Sequence, residues 1–203
     1  NDLDGLENLL QVLEGKTACI IMEATSRIHP KKDYLQGVRN LADKYKVVLI
    51  FDEVVTGFRF HRGGYQSVCG VIPDLACFSK AMGNGVPISA LVGKKDIMKN
   101  CPEIFYSLTF AGEAVSLAAT KAVMEVIDVD NVPQVIESNG QYFLDGMNKQ
   151  ITKYGLQDAV VVEGYPCRSV MIFKDTQDIP ATDTRTYWIQ ELTKKGILTA
   201  GYH

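Results

Sequence analysis

The sequence contains no long apolar run and no excess of basic residues. No stretch approaches the roughly 18 consecutive apolar residues of a membrane span, and the first residues, NDLDGLENLL, lack the basic start and apolar core of a signal peptide. The 21 Lys and Arg residues are scattered and are outnumbered by 24 Asp and Glu residues, which gives a net charge of -3. Binding to phosphate backbones needs a basic patch. We therefore expect a cytoplasmic protein that binds neither membranes nor nucleic acids.

Signals for metal ions and disulfides are also lacking. The three histidines (His29, His61 and His203) share no metal-ligand spacing with one another or with a cysteine. The five cysteines are odd in number, widely spaced and mostly set in apolar surroundings, which is typical of reduced, buried thiols. They are Cys19, Cys69, Cys77, Cys101 and Cys167. We expect neither a metal site nor a disulfide framework.

The chain has the composition of a globular protein, since 46% of its 203 residues are apolar and 22% are charged. The spacing of leucines predicts a helix over residues 3–13, and apolar runs predict strands buried on both faces over residues 17–23 and 47–51. Between these strands we predict a helix over residues 35–45, with Asp33 as its N-cap. This strand–helix–strand order predicts a parallel pair.

Similar patterns continue to the end of the chain. Further strands are predicted where short β-branched runs occur, at residues 75–78, 89–92, 104–107, 160–163, 169–173 and from residue 197. Further helices are predicted where the apolar spacing is helical, at residues 112–127, 132–151 and 184–195.

Together these elements predict an α/β fold with two domains. We assign residues 1–130 to a large domain with a mostly parallel sheet and helices on both faces, and residues 131–203 to the start of a smaller α+β C-terminal domain. A predicted final strand with nothing after it indicates a truncated chain.

Two of the predicted strands end in a charged residue. Asp52 follows the apolar run VVLIF, and Lys80 follows the run LACFS. Because a buried strand that ends in a charge places that charge at the rim of the sheet, this pair is the candidate active centre. Asp52 and Glu53 also resemble the magnesium-binding strand end of a nucleotide hydrolase. That interpretation fails because the triplet GKT at residues 15–17 precedes a strand, and Leu10 stands where the phosphate loop requires glycine.

Schiff-base chemistry with a pyridine cofactor fits the pair better. It needs a lysine amine that can be desolvated and a carboxylate that keeps the ring nitrogen protonated, so that the ring can withdraw electrons. Lys80 and Asp52 supply these groups, and Val54 is placed to pack against a ring face. The glycine-rich turn over residues 83–87 would let the cofactor approach the backbone closely.

Three motifs in this order resemble the core of a known family. FDEVVTGFR begins at Phe51, PDLACFSKAMGNGVPISALVGKKDIM at Pro73 and SLTFAGEAVSLAA at Ser107. They are similar to class III (subgroup II) pyridoxal-phosphate-dependent aminotransferases, and within these to the glutamate-1-semialdehyde 2,1-aminomutase-like branch. The resemblance extends over essentially the whole chain. It implies a fold-type I transferase with pyridoxal 5'-phosphate as cofactor, acting as a homodimer with shared active sites.

The resemblance also implies a role for each site residue. Lys80 matches the Schiff-base lysine, Asp52 the aspartate that bonds the pyridine nitrogen, and Val54 the aliphatic residue against the ring. Thr109 matches a threonine that contacts the cofactor phosphate from the neighbouring subunit, with the Phe110 amide beside it. The implied reaction is amino-group transfer on an amino acid, a semialdehyde or an amino sugar, by an aminotransferase or a 2,1-aminomutase. A noncatalytic dimerisation or scaffold fragment of such an enzyme is the alternative.

Some positions depart from the family pattern. Glu23 is followed by alanine where many members have proline, and Val55 stands where some relatives place a glutamine that bonds the ring hydroxyl. Arg59 completes the TGFR motif and is interpreted as structural. Since the family's phosphate loop lies before the equivalent of Asn1 and its carboxylate-binding arginine after His203, we expect weak cofactor binding and little or no turnover from the isolated chain.

Three tyrosines are candidates for lining a substrate pocket, namely Tyr65, Tyr106 and Tyr165. Aromatic residues are, however, more often core residues.

Overall fold

The structure, a computed structural model, describes residues 1–105 and 107–199 and divides into two compact units between Pro133 and Gln134. The strands of the first unit are β1 (Cys19–Met22), β2 (Val48–Asp52), β3 (Leu75–Phe78) and β4 (Ala90–Gly93). They form one sheet in the order β1-β2-β3-β4. β2 pairs in parallel with β1 and with β3, whereas β4 pairs antiparallel with β3. The predicted α/β fold with a mostly parallel sheet is confirmed.

The first unit contains the three predicted helices and two short helices that the sequence did not predict. They are α1 (Leu3–Val12), α2 (Tyr34–Lys44), α3 (Gln66–Cys69), α4 (Lys95–Met98) and α5 (Ala114–Val129). The predicted helices are α1, α2 and α5, and the two short ones are α3 and α4. Short 3₁₀ turns lie at Lys80–Met82 and Cys101–Glu103. The buried stripe of α2 includes Leu35 and Val38, and it packs on β2, whose Leu49 and Phe51 are 0% exposed. This contact forms the centre of the core that supports the sheet.

Three local predictions for the first unit are wrong. The strand near residue 20 is not buried on both faces, because β1 is an edge strand of the described sheet and its Ile21 is 63% exposed. Asp33 does not cap α2 with its side chain, since its φ of 61° is left-handed and a side-chain cap requires extended backbone. Ile104, Phe105 and Ser107 lie in no strand, because a short apolar run forms a strand only where a neighbour pairs with it; Tyr106 lies outside the described residues.

The predicted burial of the cysteines is also only partly correct. All five thiols are free, but Cys167 alone among them is buried. Cys19 and Cys101 are exposed because the first lies on the edge strand β1 and the second begins a 3₁₀ turn.

The second unit is built on a helix and a hairpin. Its elements are α6 (Val132–Lys153), which begins at the end of the first unit, β5 (Val160–Tyr165), β6 (Arg168–Phe173) and α7 (Ala181–Lys194). β5 and β6 pair antiparallel, and their core contains Leu144, Ile151, Val160 and Val162. The strand predicted from residue 197 is wrong for residues 197–199, which lie in no strand.

Within residues 1–105 and 107–199, no helix is long and apolar enough to cross a membrane. The same part of the chain has no cluster of three or more His, Cys, Asp or Glu residues arranged to hold a metal ion.

Candidate active site

The register of β2 on β3 brings the two candidate residues to one edge of the sheet. Asp52, the last residue of β2, is the partner of Cys77 in β3, and Lys80 follows Cys77 by three residues. Neighbouring strands lie about 4.8 Å apart, and parallel strands end at the same edge. Because directly paired residues of neighbouring strands point to the same face, the Asp52 carboxylate and the Cys77 thiol share one face. Burial and, secondly, the charge of Asp52 raise the pKa of that thiol.

The side chain of Asp52 is half-buried and oriented by its own loop. Its Oδ1 accepts a hydrogen bond of 2.9 Å from the backbone N–H of Val54, two residues further on. Among the described residues, no group donates to Oδ2. The carboxylate is therefore held at the sheet edge with one oxygen available for another donor.

Lys80 occupies an unusual backbone conformation at the start of its 3₁₀ turn. Its φ is 45°, in the left-handed region that residues with a Cβ rarely adopt, at a cost on the order of 1–3 kcal/mol. The preceding residue anchors this turn, because the Ser79 hydroxyl donates to the Ile88 carbonyl at 2.7 Å. The Lys80 side chain is exposed and forms no ion pair within the described part of the chain. Strained conformations of this kind are common in active sites, where the surrounding structure maintains them.

A cavity of about 530 Å³ lies beside this turn. Its wall includes Ser79 and Ile88 on one side and Thr109 and Phe110 on another. Both residues of the predicted phosphate-binding motif are thus exposed at a cavity that begins one residue before Lys80.

Glu53 is a residue whose importance the sequence interpretation missed. Its side chain is 0% exposed and accepts hydrogen bonds from the Thr56 hydroxyl and from the amides of Tyr65 and Gln66. The signal was present in the sequence, because two acidic residues in succession at a strand end point to opposite faces, so that one of them must face inward.

Tyr65, an aromatic candidate of the first unit, is not among the residues that line the cavity beside Lys80. Tyr65 is 6% exposed and packs edge-on against Phe60, and Tyr165 is 5% exposed in β5. Both therefore serve as core residues. Tyr106 is not among the described residues.

Known proteins were compared with the chain. A family model described as class-III aminotransferase matches residues 2–203. Glutamate-1-semialdehyde 2,1-aminomutase from Syntrophobacter fumaroxidans is 37% identical over 156 residues, which cover 73% of this chain and 36% of that protein. 3-Aminobutyryl-CoA aminotransferase from Cloacimonas acidaminovorans is 33% identical over 210 residues, which cover 100% of this chain and 50% of that protein. The chain thus spans half or less of the length of these relatives.

The fold agrees with a solved structure. Ornithine aminotransferase from Plasmodium yoelii superposes with a TM-score of 0.82 at 25% identity, covering 98% of this chain and 52% of that one. The fold class and family expected from the three motifs are confirmed. The chain belongs to the class-III aminotransferases, a family of pyridoxal-phosphate-dependent enzymes.

Proposed function

We propose that the described residues form the lysine and aspartate half of a pyridoxal 5'-phosphate site in an enzyme that transfers an amino group. The observation that carries this proposal is the β2–β3 register, which sets Asp52 opposite Cys77 with Lys80 three residues further on. A carboxylate and an amine at one sheet edge are the two protein groups that this chemistry needs.

The residues present fit the cofactor ring. Asp52 has one oxygen held by the Val54 amide and one oxygen without a donor among the described residues, which suits a hydrogen bond from a protonated ring nitrogen. Val54 is half-buried beside it and would cover a ring face. Val55 has no group that can bond the ring hydroxyl. The Thr109 hydroxyl and the Phe110 amide would hold the phosphate from the neighbouring subunit.

Each residue then has a defined task in the reaction. When bound, pyridoxal phosphate supplies a reactive aldehyde carbon and a ring that withdraws electrons. Asp52 would keep the ring nitrogen protonated by accepting its hydrogen bond, and Val54 would exclude water from the ring face. Lys80 Nζ would hold the cofactor and, as a free amine, would carry a proton to or from the substrate carbon that bears the nitrogen.

The quaternary structure and domain roles are part of the same proposal. Exposed apolar side chains within one short segment of the chain support a homodimer with shared sites, because exposed apolar surface marks interaction sites. They are Phe105, Leu108, Phe110 and Val115, which are 94%, 50%, 59% and 70% exposed. The roles of residues 1–130 as the C-terminal part of a cofactor-binding large domain and of residues 131–203 as the start of a small C-terminal domain stay predictions. So does the cytoplasmic location.

Two reactions remain within the proposal, because the relatives include an aminomutase and an aminotransferase. An aminotransferase releases a carbonyl product from one donor and needs a second substrate, whereas an aminomutase returns an isomer of its only substrate. Candidate amino acids, semialdehydes and amino sugars should be added singly to the cofactor-loaded protein of natural length. Changes in cofactor absorbance identify the donor, and product analysis distinguishes the two reactions.

Replacement of Lys80 by alanine in the protein of natural length tests the site directly. We expect turnover to fall by a factor of roughly 10⁴ or more, because the covalent attachment and the proton carrier are both lost. Borohydride treatment of the loaded wild type, followed by peptide mass spectrometry, should find the cofactor on Lys80. Lys95→Ala, at an exposed lysine of α4, is the control and should keep both activity and labelling.

Two results would contradict the proposal. Normal turnover of Lys80→Ala would show that another residue carries the chemistry. A natural-length protein that neither binds pyridoxal phosphate nor consumes any amine would favour the alternative, a noncatalytic dimerisation or scaffold role.

A further inference from the structure

The proposed reaction assigns no role to the carboxylate of Glu53, which is 0% exposed. Its Oε2 accepts from the Thr56 hydroxyl and from the Tyr65 amide at 2.9 Å, and its Oε1 accepts from the Gln66 amide at 2.9 Å. A buried carboxylate is tolerated only where such donors surround it. These hydrogen bonds therefore hold the loop of residues 56–66 against the residue that follows β2.

The backbone of Glu53 is held on both sides. Its N–H donates to the Cys77 carbonyl at 2.9 Å, which continues the pairing with β3 one residue beyond β2. Its carbonyl accepts from the Gly57 amide at 2.8 Å and so closes the turn of residues 53–57. Since successive residues of an extended chain point to opposite faces, the inward side chain of Glu53 leaves Asp52 on the other face.

This turn also sets the orientation of Asp52. The Val54 amide, which donates to Asp52 Oδ1, belongs to the turn that the Glu53 carbonyl and the Gly57 amide close. The hydrogen bond from the Thr56 hydroxyl to the Glu53 carboxylate connects two residues of the same turn and stabilises it. The direction of the Val54 amide, and with it the orientation of the Asp52 carboxylate, thus depends on the Glu53 side chain.

We propose that Glu53 is a positioning residue, whose buried carboxylate holds the turn of residues 53–57 so that Asp52 and Val54 keep the orientation the cofactor ring requires. This inference rests on the proposed function, which takes Asp52 and Val54 as the ring contacts. Gly64 supports it, because a Cβ added there would lie 2.5 Å from Glu53 Cδ. Its φ of +81° also favours glycine, so the carboxylate has space that no other residue type would leave.

Glu53→Gln in the natural-length protein is the first variant. Glutamine keeps the shape but replaces one accepting oxygen by an NH₂ group, which faces at least one backbone donor. We expect the dissociation constant of pyridoxal phosphate to rise roughly 10- to 100-fold, by analogy with the loss of a residue that orients a metal ligand. The absorption spectrum of the bound cofactor should shift as well, because the protonation of its ring depends on Asp52.

Asp74→Asn is the matched control. Asp74 is also a buried carboxylate that accepts from a backbone amide, that of Leu49, but it precedes β3 and so lies at the opposite edge of the sheet from Asp52. We expect this variant to bind pyridoxal phosphate within about twofold of the wild type, with an unchanged spectrum, because Asp74 contacts neither Asp52 nor the turn of residues 53–57. Equal changes in both variants would reduce Glu53 to a structural residue and overturn the inference.

Hydrogen exchange of the Val54 amide in the cofactor-free protein gives a readout that does not depend on the proposed function. Exchange should be about tenfold faster or more in Glu53→Gln, and unchanged in Asp74→Asn. If the wild type fails to bind pyridoxal phosphate, the proposed function fails, but the exchange rates still decide the role of Glu53. If the wild type binds and Glu53→Gln matches it in affinity, spectrum and exchange, the inference alone is refuted. Should Glu53→Gln not fold, Thr56→Val, which removes a single donor, takes its place with the same expectations.

Discussion

Substitution of Asp74 tests what holds the sheet of the first unit together. Its Oδ2 accepts from the Leu49 amide at 2.7 Å and from Arg39 Nη1 at 3.0 Å, and its Oδ1 accepts from Lys94 Nζ at 2.6 Å. The side chain of Arg39 is 11% exposed, whereas that of Lys94 is 60% exposed. Water can therefore replace Asp74 as the partner of Lys94, but not as the partner of Arg39 or of the Leu49 amide.

The expected losses follow from these partners. Alanine at residue 74 leaves the Leu49 amide without an acceptor, at about 1–3 kcal/mol, and removes one of the two carboxylate partners of Arg39, whose Nη2 still pairs with Asp43 at 2.7 Å. We expect Asp74→Ala to lower the free energy of unfolding by about 2–4 kcal/mol. Asparagine keeps an oxygen for Leu49 and Arg39 and loses the charge and the exposed pair with Lys94. Asp74→Asn should therefore lower the free energy of unfolding by about 1–2 kcal/mol.

The pH dependence of stability provides a second measure. Burial by itself raises the pKa of Asp74, but hydrogen bonds from Lys94, the Leu49 amide and Arg39 outweigh it and lower the pKa below its ordinary value. A lowered folded-state pKa stabilises the fold above the ordinary value of about 3.9, and this stability is lost as the pH falls through the folded-state pKa. The wild type and Asp74→Asn should therefore differ less in their free energy of unfolding below about pH 4 than at neutral pH.

Urea unfolding followed by far-UV circular dichroism measures these free energies at neutral and acidic pH. If Asp74→Ala and Asp74→Asn lowered the free energy of unfolding equally, the side-chain oxygen that asparagine keeps for the Leu49 amide and Arg39 would contribute nothing to stability. Losses below about 1 kcal/mol for both variants would refute the view that the Asp74 network secures β2 to the start of β3.

The remaining predictions concern the second unit, with thermal or urea unfolding as the measurement. An added Cβ at Gly140 in α6 would overlap the Pro166 carbonyl, so Gly140→Ala should cost about 1–3 kcal/mol, whereas Gly146→Ala, with nothing within 4 Å, should gain about 0.5–1 kcal/mol. A neutral Gly140→Ala would contradict this close approach. Ile151→Ala should cost about 2–5 kcal/mol because Ile151 is a core residue, while Val135→Ala, at a half-exposed position of α6, should stay within about 0.5 kcal/mol. Similar losses at both positions would contradict the core assignment.

Apolar periodicity located most elements, because β2, β3, α2 and the hairpin β5–β6 bury the same side chains that form their patterns. It failed where the outcome depends on neighbours in space. The apolar run of residues 17–23 predicts a strand buried on both faces but forms an edge strand of the described sheet. Residues 104–107 are predicted to form a strand, but their described members lie in none. The sequence predicts Asp33 as the N-cap of α2, but its left-handed backbone prevents the side chain from capping the helix.

The sequence by itself determined the family and the candidate residues, because Asp52 and Lys80 end two apolar runs within motifs that are specific in order and spacing. Only the tertiary structure decided how these residues are held. The register that sets Asp52 beside β3, the left-handed backbone of Lys80 and the three donors around Glu53 each depend on groups up to 25 residues apart in the chain. A local pattern carries no information on such contacts, because hydrogen bonds between distant segments form only once the sheet has brought them together.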